Sequence, residues 1–322
     1  MTRSLPSWMR WLLLTGFAGA LLVLIWSAVI EPRLISEECY VIDIPALPPE
    51  WEDERVALIA DPHVGMWLSN VGTLRRIVAR LLEIKPAAVL IAGDLIYEPL
   101  PDELPAVRES HEHRENAVAD IDEVVQLLRP LKEAGIPTFA VLGNHDRETE
   151  PLKPRRAALL TDALERAGIR VLVDEAVRLP SPGRNRADAD LWLVGLASHK
   201  ARRDHSEAAL AQLPEAAPRL VLMHNPDRFE HLPAGSAPLA LAGHTHGGQI
   251  RFPFLLLRRL LGRVNKKRPQ LSGWIDNYGQ PGNRLYITRG IGFSRLPLRF
   301  NAPPEMTLFT LQRRICGGQL AA

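Results

Sequence analysis

The sequence predicts an α/β fold in which a second β-sheet packs on a first one, and two patterns support this prediction. Up to about Val173, apolar runs of strand length alternate with segments in which apolar residues recur at helical spacing. That alternation is typical of layered α/β proteins. Beyond Val173 most of the apolar runs are short and strand-like. The second part of the chain is therefore expected to supply the second sheet.

Length and composition limit the protein class. The 322 residues can form one large domain or two small ones, and 46% apolar with 24% charged residues is ordinary for a globular protein. A formal charge of +2 gives no reason to expect a polyanion, so no nucleic-acid partner is predicted. The two cysteines, Cys39 and Cys316, have neither metal-site spacing nor the pattern of a disulfide framework.

An uncharged run of 20 residues extends from Trp11 to Ile30, between Arg10 and Glu31. A helix of about 20 apolar residues can span a bilayer. A secretory signal is the alternative, but no small-residue cleavage site follows the run, which favours an uncleaved anchor. The basic side of such an anchor tends to stay cytoplasmic, so the chain beyond it is expected outside, in a periplasm if the cell has one.

The predicted organisation follows from this anchor. Residues 1–10 form a cytoplasmic N-terminus, residues 11–30 the transmembrane helix, residues 31–50 a linker and entry strand with a short extended segment from Cys39 to Leu47, and residues 51–322 the main domain. In order, the predicted elements of that domain are strand 55–60, a helix around residues 74–82, strand 87–92, helix 117–134, strand 136–142, helix 155–167, strands 169–173, 176–179 and 191–194, helix 206–213, and strands 219–223, 239–242, 249–252, 284–287 and 306–311.

Polar clusters follow five of these strands. They are Asp61-Pro62-His63, Gly93-Asp94, Gly143-Asn144-His145-Asp146, His224-Asn225 and Gly243-His244-Thr245-His246. In open α/β sheets, sites assemble beyond the carboxyl ends of the strands. A single Asp or His at a strand end is more often a turn former or a cap than a ligand. Seven potential donors at five strand ends favour one shared site instead.

The donor set indicates the kind of metal centre. Two carboxylates, one amide oxygen and four imidazoles are too many for one tetrahedral ion, but they suit two octahedral ions that share a carboxylate. Mixed nitrogen and oxygen donors without thiolate favour Mn, Fe or Zn. Two such ions activate a bridging water and stabilise in-line displacement at phosphorus. The donors are Asp61, His63, Asp94, Asn144, His224, His244 and His246.

The same residues, in this order, resemble the signature of the calcineurin-like metallophosphoesterases. Four segments in the C-terminal part are similar to a membrane-associated bacterial branch of that family: residues 224–227, 243–249, 289–292 and 299–305. The resemblance implies a four-layer sandwich of two mixed β-sheets flanked by helices, here preceded by one N-terminal transmembrane helix. It also implies a phosphohydrolase in the bacterial inner membrane that acts by in-line attack of a hydroxide bridging two divalent ions.

The resemblance implies a role for each site residue. Asp61, His63 and His246 would bind the first ion, Asp94 would bridge, and the second ion would take Asn144, His224 and His244. His145 and Asp94 are the two residues assigned to catalysis. His145 would donate a proton to the leaving oxygen or stabilise the phosphoryl charge. Asp146 would orient a neighbour or cap the following turn. Pro62 and Tyr97 depart from the pattern, since many relatives carry an acid at the position of Tyr97.

The substrate is less constrained than the site. The stretch from Phe252 to Arg268 combines apolar bulk with a cationic cluster, which suits contact with anionic lipid, although an ordinary packed helix with a basic end has the same composition. A phosphodiester or pyrophosphate substrate, lipid-linked if that contact exists, is expected. The alternatives are a phosphomonoesterase and a non-catalytic metal-binding interaction platform with the same fold.

Overall fold

The computed structural model describes residues 6–66, 68–97, 117–146, 155–182, 190–197, 203–251, 271–275 and 278–313. Its N-terminal helix, α1 (Ser7–Ile25), has no buried residue and continues through a π-helical turn, Trp26–Ile30, and a 3₁₀ turn, Glu31–Arg33. The whole helical stretch, Ser7–Arg33, is 27 residues long and reaches a mean hydropathy of 2.3. It is therefore long and apolar enough to cross a membrane by length and composition.

Twelve strands within the described residues form two six-stranded sheets. The first has the order β1-β12-β2-β3-β4-β5, with β12 antiparallel to β2 and the other neighbours parallel. Its strands are β1 (Ser36–Ile44), β2 (Arg55–Ile59), β3 (Ala88–Ile91), β4 (Thr138–Val141), β5 (Ile169–Leu172) and β12 (Glu305–Arg313). Most of the predicted strand ends are within two residues of these bounds.

The second sheet has the order β10-β11-β9-β8-β7-β6, with antiparallel strands at both edges and parallel strands between them. Its strands are β6 (Glu175–Leu179), β7 (Leu191–Leu196), β8 (Arg219–Met223), β9 (Ala240–Ala242), β10 (Gly273–Ile275) and β11 (Leu285–Ile287). The predicted strand 249–252 is not regular over its described residues, where Ile250 makes one bridge to Phe300.

The two sheets pack face to face and helices cover their outer faces. Residues such as Leu58, Leu90 and Leu222 fill the core between the sheets. Helices α2 (Val71–Ile84), α3 (Ala117–Glu133) and α4 (Arg155–Arg166) bury their apolar faces on the first sheet. Helix α5 (Arg203–Leu210) packs on the second. This is the predicted sandwich of two mixed sheets flanked by helices, with one N-terminal apolar helix.

The entry strand lies earlier in the chain than the predicted extended segment from Cys39 to Leu47. The observed strand is the nine-residue β1, which pairs in parallel with β12 from Ser36 opposite Glu305 to Ile44 opposite Arg313. Strand β10 was not predicted. The three-residue β10 is too short for its pattern to stand out. Cys39 is exposed, whereas Cys316 and the stretch from Phe252 to Arg268 lie outside the described residues.

Candidate metal centre

The candidate site lies where the two sheets present the carboxyl ends of five parallel strands at one edge. Strands β2, β3 and β4 are neighbours in the first sheet, and β8 and β9 are neighbours in the second. The loops that leave these strands carry the seven predicted donors and His145. The structure brings these side chains together. Three groups of close ligand atoms that share members contain all of them except Asn144, which contacts the group of His224.

The first group contains Asp61, His63 and His246, whose ligand atoms all lie within 4.8 Å of one another and whose side chains are all buried. His246 Nε2 is 3.9 Å from Asp61 Oδ1. The backbone N–H of His244 donates to both oxygens of Asp61, each at 3.1 Å. The loop after β9 therefore fixes the orientation of the carboxylate that follows β2.

The second group contains Asp94, His224 and His244, again within 4.8 Å of one another. His224 Nε2 lies 3.2 Å from Asp94 Oδ2, 2.9 Å from Asn144 Oδ1 and 3.0 Å from His244 Nδ1. Asp94 also connects the groups, because its Oδ2 is 3.3 Å from His63 Nε2. One carboxylate thus lies between the two sets of donors.

The ring of His224 is oriented by the backbone. Its Nδ1 lies 2.8 Å from the carbonyl oxygen of Ala92, so the neutral imidazole carries its proton on Nδ1 and presents the lone pair of Nε2 to the cluster. A hydrogen bond from the remote ring nitrogen to a carbonyl is the usual arrangement around metal-binding histidines.

The donor atoms fit divalent cations. Both ring nitrogens of His63 and the Nδ1 of His246 are buried without a well-oriented hydrogen-bond partner among the described residues. Burying such groups unsatisfied costs free energy, and a cation removes that cost. Three further atoms converge on His224 Nε2: Asn144 Oδ1, His244 Nδ1 and Asp94 Oδ2. A cation at this point would likewise be stabilised by their lone pairs.

Burial and mutual charge shift the pKa values of the cluster in the metal-free protein. Burial raises the pKa of Asp61 to about 6 and lowers that of His244 to about 4, the latter with a contribution from the charge of His224. For Asp94, burial opposes ionisation, but the charges of His224 and His145 hold its pKa well below 3.8. For His224, burial is outweighed by Asp94 and Asp61, which raise its pKa to about 9. The proton on His224 thus occupies a position where a cation would be favoured.

The loops that carry the donors are strained. Five of the seven donors have a positive φ, between 49° and 72°, which is uncommon for residues other than glycine. Such conformations persist only where the surrounding structure enforces them, and they cluster at functional sites. The five are Asp61, His63, Asp94, His244 and His246.

Two glycines allow the close approach of these loops. A Cβ on Gly243 would lie 2.6 Å from Asp61 Oδ2, and one on Gly143 would overlap Asp94 Oδ1. Any larger residue at either position would displace a carboxylate of the cluster. The glycines beside the donors are therefore required by space.

His145 belongs to the third group, with His63 and Asp94. Its backbone N–H donates to Asp94 Oδ1 at 2.8 Å, and its ring centroid is 4.7 Å from that of His63. Tyr97 stacks on the imidazole at 5.2 Å with an interplanar angle of 19°. An aromatic ring therefore lies against the face of His145.

Asp146 does not belong to the three groups. Its carboxylate accepts from the backbone N–H of Ile96 at 3.0 Å and of Gly143 at 2.9 Å. These bonds tie the loop after β3 to the loop after β4. The orienting function expected of Asp146 thus corresponds to holding two donor loops together.

Two arginines near the site serve the scaffold. Arg299 is fully buried and donates to the carbonyl oxygens of Gly292, Ala302 and Arg289. Arg289 pairs with Glu38 at 2.7 Å and with Glu305 at 3.0 Å. The sequence alone did not show whether these arginines bind backbone and carboxylate groups or a phosphate.

The sequence comparisons agree with this geometry. The family model for the calcineurin-like phosphoesterases matches residues 54–248, which contain all seven donors and His145. The chain belongs to this family. Its members are phosphoesterases that use divalent metals, so the protein is a metal-dependent phosphoric ester hydrolase, and the close groups of donors are candidate sites for those metals.

Individual relatives are similar over most of the chain. It is 32% identical to the phosphodiesterase YaeI of Escherichia coli, over 80% of this chain and 82% of that protein. It is 22% identical to the UDP-2,3-diacylglucosamine pyrophosphatase LpxG of Chlamydia trachomatis, over 92% of this chain and 95% of that protein. Among solved structures, a dimetal phosphatase from Danio rerio is 14% identical, with a TM-score of 0.36, and covers 74% of this chain and 88% of that one.

Proposed function

We propose that the protein is a membrane-anchored phosphohydrolase with a dinuclear metal centre, which hydrolyses phosphodiester or pyrophosphate bonds. One observation supports this proposal above all. The Asp94 carboxylate lies within 3.3 Å of a nitrogen from each donor group, in the position of a ligand shared by two ions. A single-ion site has no use for such a bridge.

The donors divide between the ions as follows. Asp61, His63 and His246 would hold the first ion, Asn144, His224 and His244 would hold the second, and Asp94 would be shared. Mn, Fe or Zn suits this mixture of imidazole and oxygen donors. When bound, two such ions supply charge stabilisation for the phosphoryl oxygens and lower the pKa of a bridging water.

The protein side chains hold and orient the reacting groups. Burial lowers the pKa of His145 to about 3, so the imidazole is neutral at physiological pH and donates through one N–H. A neutral donor suits stabilisation of developing charge on the phosphoryl or leaving oxygen. Tyr97 limits rotation of that ring by stacking on it.

The substrate class and location are supported by the relatives and by α1. Relatives named as a phosphodiesterase and as a pyrophosphatase of an acylated sugar nucleotide favour diesters or pyrophosphates over monoesters, and the second favours a lipid-linked substrate. The apolar helix favours a single-pass anchor in the cell membrane, with the catalytic domain on its outer side.

Hydrolysis of an aryl phosphodiester by the detergent-solubilised full chain, with Mn²⁺ added, tests the proposal. Replacement of Asp94 by Asn should abolish turnover and release part of the bound metal. The matched replacement of the exposed Asp162 by Asn should do neither. Metal-loaded protein that turns over no phosphate ester would favour the interaction platform, and activity confined to monoesters would favour a phosphomonoesterase.

A further inference from the structure

The anchor helix is attached to the domain by hydrogen bonds. The backbone N–H of Arg299 donates to the carbonyl oxygen of Ser27 at 2.8 Å, and that of Ala302 donates to Glu31 Oε1 at 2.6 Å. Asn70 Nδ2 donates to the carbonyl oxygen of Pro32 at 2.8 Å. Ser27 and Glu31 are both buried, although they lie within or next to the apolar run. A flexible tether would make no such contacts.

The junction lies at the edge that carries the candidate metal centre. Asn70 precedes α2, directly after the loop of Asp61 and His63, and its side chain also donates to the carbonyl oxygen of Ile291 at 2.9 Å. The backbone N–H of Gly292 donates to the carbonyl oxygen of Asp61 at 2.7 Å. The same short segment after β11 thus contacts both the anchor and the loop of a donor.

This edge also has exposed apolar side chains. Met66, Tyr97 and Phe293 form a small buried cluster of their own. Leu68, two residues after Met66, is 54% exposed, and Leu296, three residues after Phe293, is 41% exposed.

The loop of Leu296 is joined to the metal-centre edge. The carbonyl oxygen of Leu296 accepts from Gln249 Nε2 at 2.6 Å, close in sequence to the donor His246. The loop of Leu296 is thus bonded to the segment that follows His246, and Leu68 lies in sequence between His63 and Asn70, the residue that contacts both the anchor and Ile291.

We propose that Leu68 and the loop 293–298 form a second membrane contact, in which they touch the headgroup layer of the phospholipid bilayer. This proposal rests on the membrane anchoring proposed above. Together with the hydrogen-bonded junction, this contact holds the domain in one orientation, with the metal-centre edge towards the bilayer. Trp26 and the exposed Arg33 and Arg295 are suited to that layer, because aromatic rings and cations concentrate at membrane interfaces.

The proposal has a consequence for the substrate. A phosphate ester anchored in the bilayer carries its phosphorus at the interface, and a domain held in this orientation meets it without leaving the membrane. A freely tethered domain would present the site in all directions and gain no such advantage. The orientation thus makes a membrane-resident phosphate ester the favoured substrate class.

Fluorescence quenching by lipid tests the contact. Cys39 and Cys316 are replaced by Ser in the full chain, and a single cysteine is placed at Leu68, Leu296 or Ala134 and labelled with an environment-sensitive dye. Ala134 is exposed between α3 and β4, at the opposite ends of the strands, and serves as the matched control. In phosphatidylcholine and phosphatidylglycerol vesicles, brominated lipid should quench the dye at residues 68 and 296 severalfold more than at residue 134.

Equal quenching at residues 296 and 134 would overturn the orientation. The junction is tested by the double substitution Glu31→Ala and Asn70→Ala, which should reduce quenching at residue 296 towards the control value. Each labelled preparation is also assayed on a soluble aryl phosphodiester. Hydrolysis without selective quenching rejects the orientation alone, and selective quenching without hydrolysis rejects the proposed function alone.

Discussion

At the scale of single residues, the site depends on side chains that the backbone holds in place before any ligand arrives. His224 is fixed by the carbonyl oxygen of Ala92, Asp61 by the backbone N–H of His244, and Asp94 by the backbone N–H of His145. Such preorganisation lowers the cost of binding ions and of stabilising charge during reaction. The residues can therefore be tested one at a time with distinct expected results.

Replacement of His145 by Gln should lower kcat by about 10²- to 10⁴-fold, the usual contribution of a positioned proton or hydrogen-bond donor. KM should change much less, because the ligands of the ions are untouched. Steady-state kinetics with metal analysis on the same preparation checks this expectation. If the variant loses metal together with activity, His145 is a ligand and the assigned role is wrong.

The affinity for divalent metal should increase with pH. In the metal-free protein the pKa of His224 is raised to about 9, so below that pH an ion must displace a proton, and each lower pH unit should weaken binding by about tenfold. Near and below pH 6 the dependence should steepen, because burial raises the pKa of Asp61 to about 6 and a second proton competes. Competition with a chelator at pH 6, 7, 8 and 9 measures the slope. A constant affinity over this range would contradict the assignment of His224 as a ligand.

At the scale of secondary-structure elements, β1 and β12 extend the first sheet and carry a buried charge network beside the site. Glu305, at the start of β12, accepts from Tyr286 at 2.8 Å and from Thr307 at 2.7 Å, and pairs with Arg289. Arg289 also contacts Glu38 on β1, where its hydrogen bond lowers the pKa of that carboxyl group. One arginine therefore joins a fully buried and a partly exposed carboxylate.

Replacement of Glu305 by Ala should cost about 3 to 5 kcal/mol in the free energy of unfolding, since it leaves the hydroxyl groups of Tyr286 and Thr307 without their buried acceptor and removes the buried partner of Arg289. Replacement of Glu38 by Ala, the matched control on the same arginine, should cost about 1 kcal/mol or less because its side chain is 30% exposed. Denaturant unfolding in detergent micelles compares the two variants. Equal losses would show that burial does not determine the strength of this network.

At the scale of the whole molecule, the α1 helix and the sandwich make up one arrangement in which the apolar helix joins the domain at its metal-centre edge. The first sheet supplies three of the donor-bearing strands and the second sheet supplies two. The site thus forms only when the sheets are packed together. The helix junction and the candidate metal centre therefore share one edge of the domain.

A reporter enzyme that is active only after export, fused after Ala322, should be active in bacterial cells, because the basic residues before the apolar helix keep the N-terminus inside. A matched reporter that is active only in the cytoplasm, fused after Ala322, should be inactive. Activity of the cytoplasmic reporter alone would place the domain in the cytoplasm and overturn the proposed side.

The sequence by itself determined the nature of the site and most of the local structure. The five polar clusters at strand ends identified the seven donors, because the identity and spacing of such residues are visible without coordinates. The strands from β2 to β5 were predicted to within about two residues, since buried parallel strands are nearly continuous apolar runs. The short β10 and the parallel pairing of β1 with β12 were not predicted, because they depend on partners far along the chain.

Only the tertiary structure decided how distant segments meet. It showed that the donors after β8 and β9 face those after β2 to β4, that five donors adopt a left-handed backbone, and that Arg299 and Arg289 bind backbone and carboxylates. It also showed that residues 27–32 contact the segment after β11. The physical reason is that periodicity and turn residues act over a few neighbours, whereas sheet packing and buried hydrogen bonds join residues that may be more than 200 positions apart.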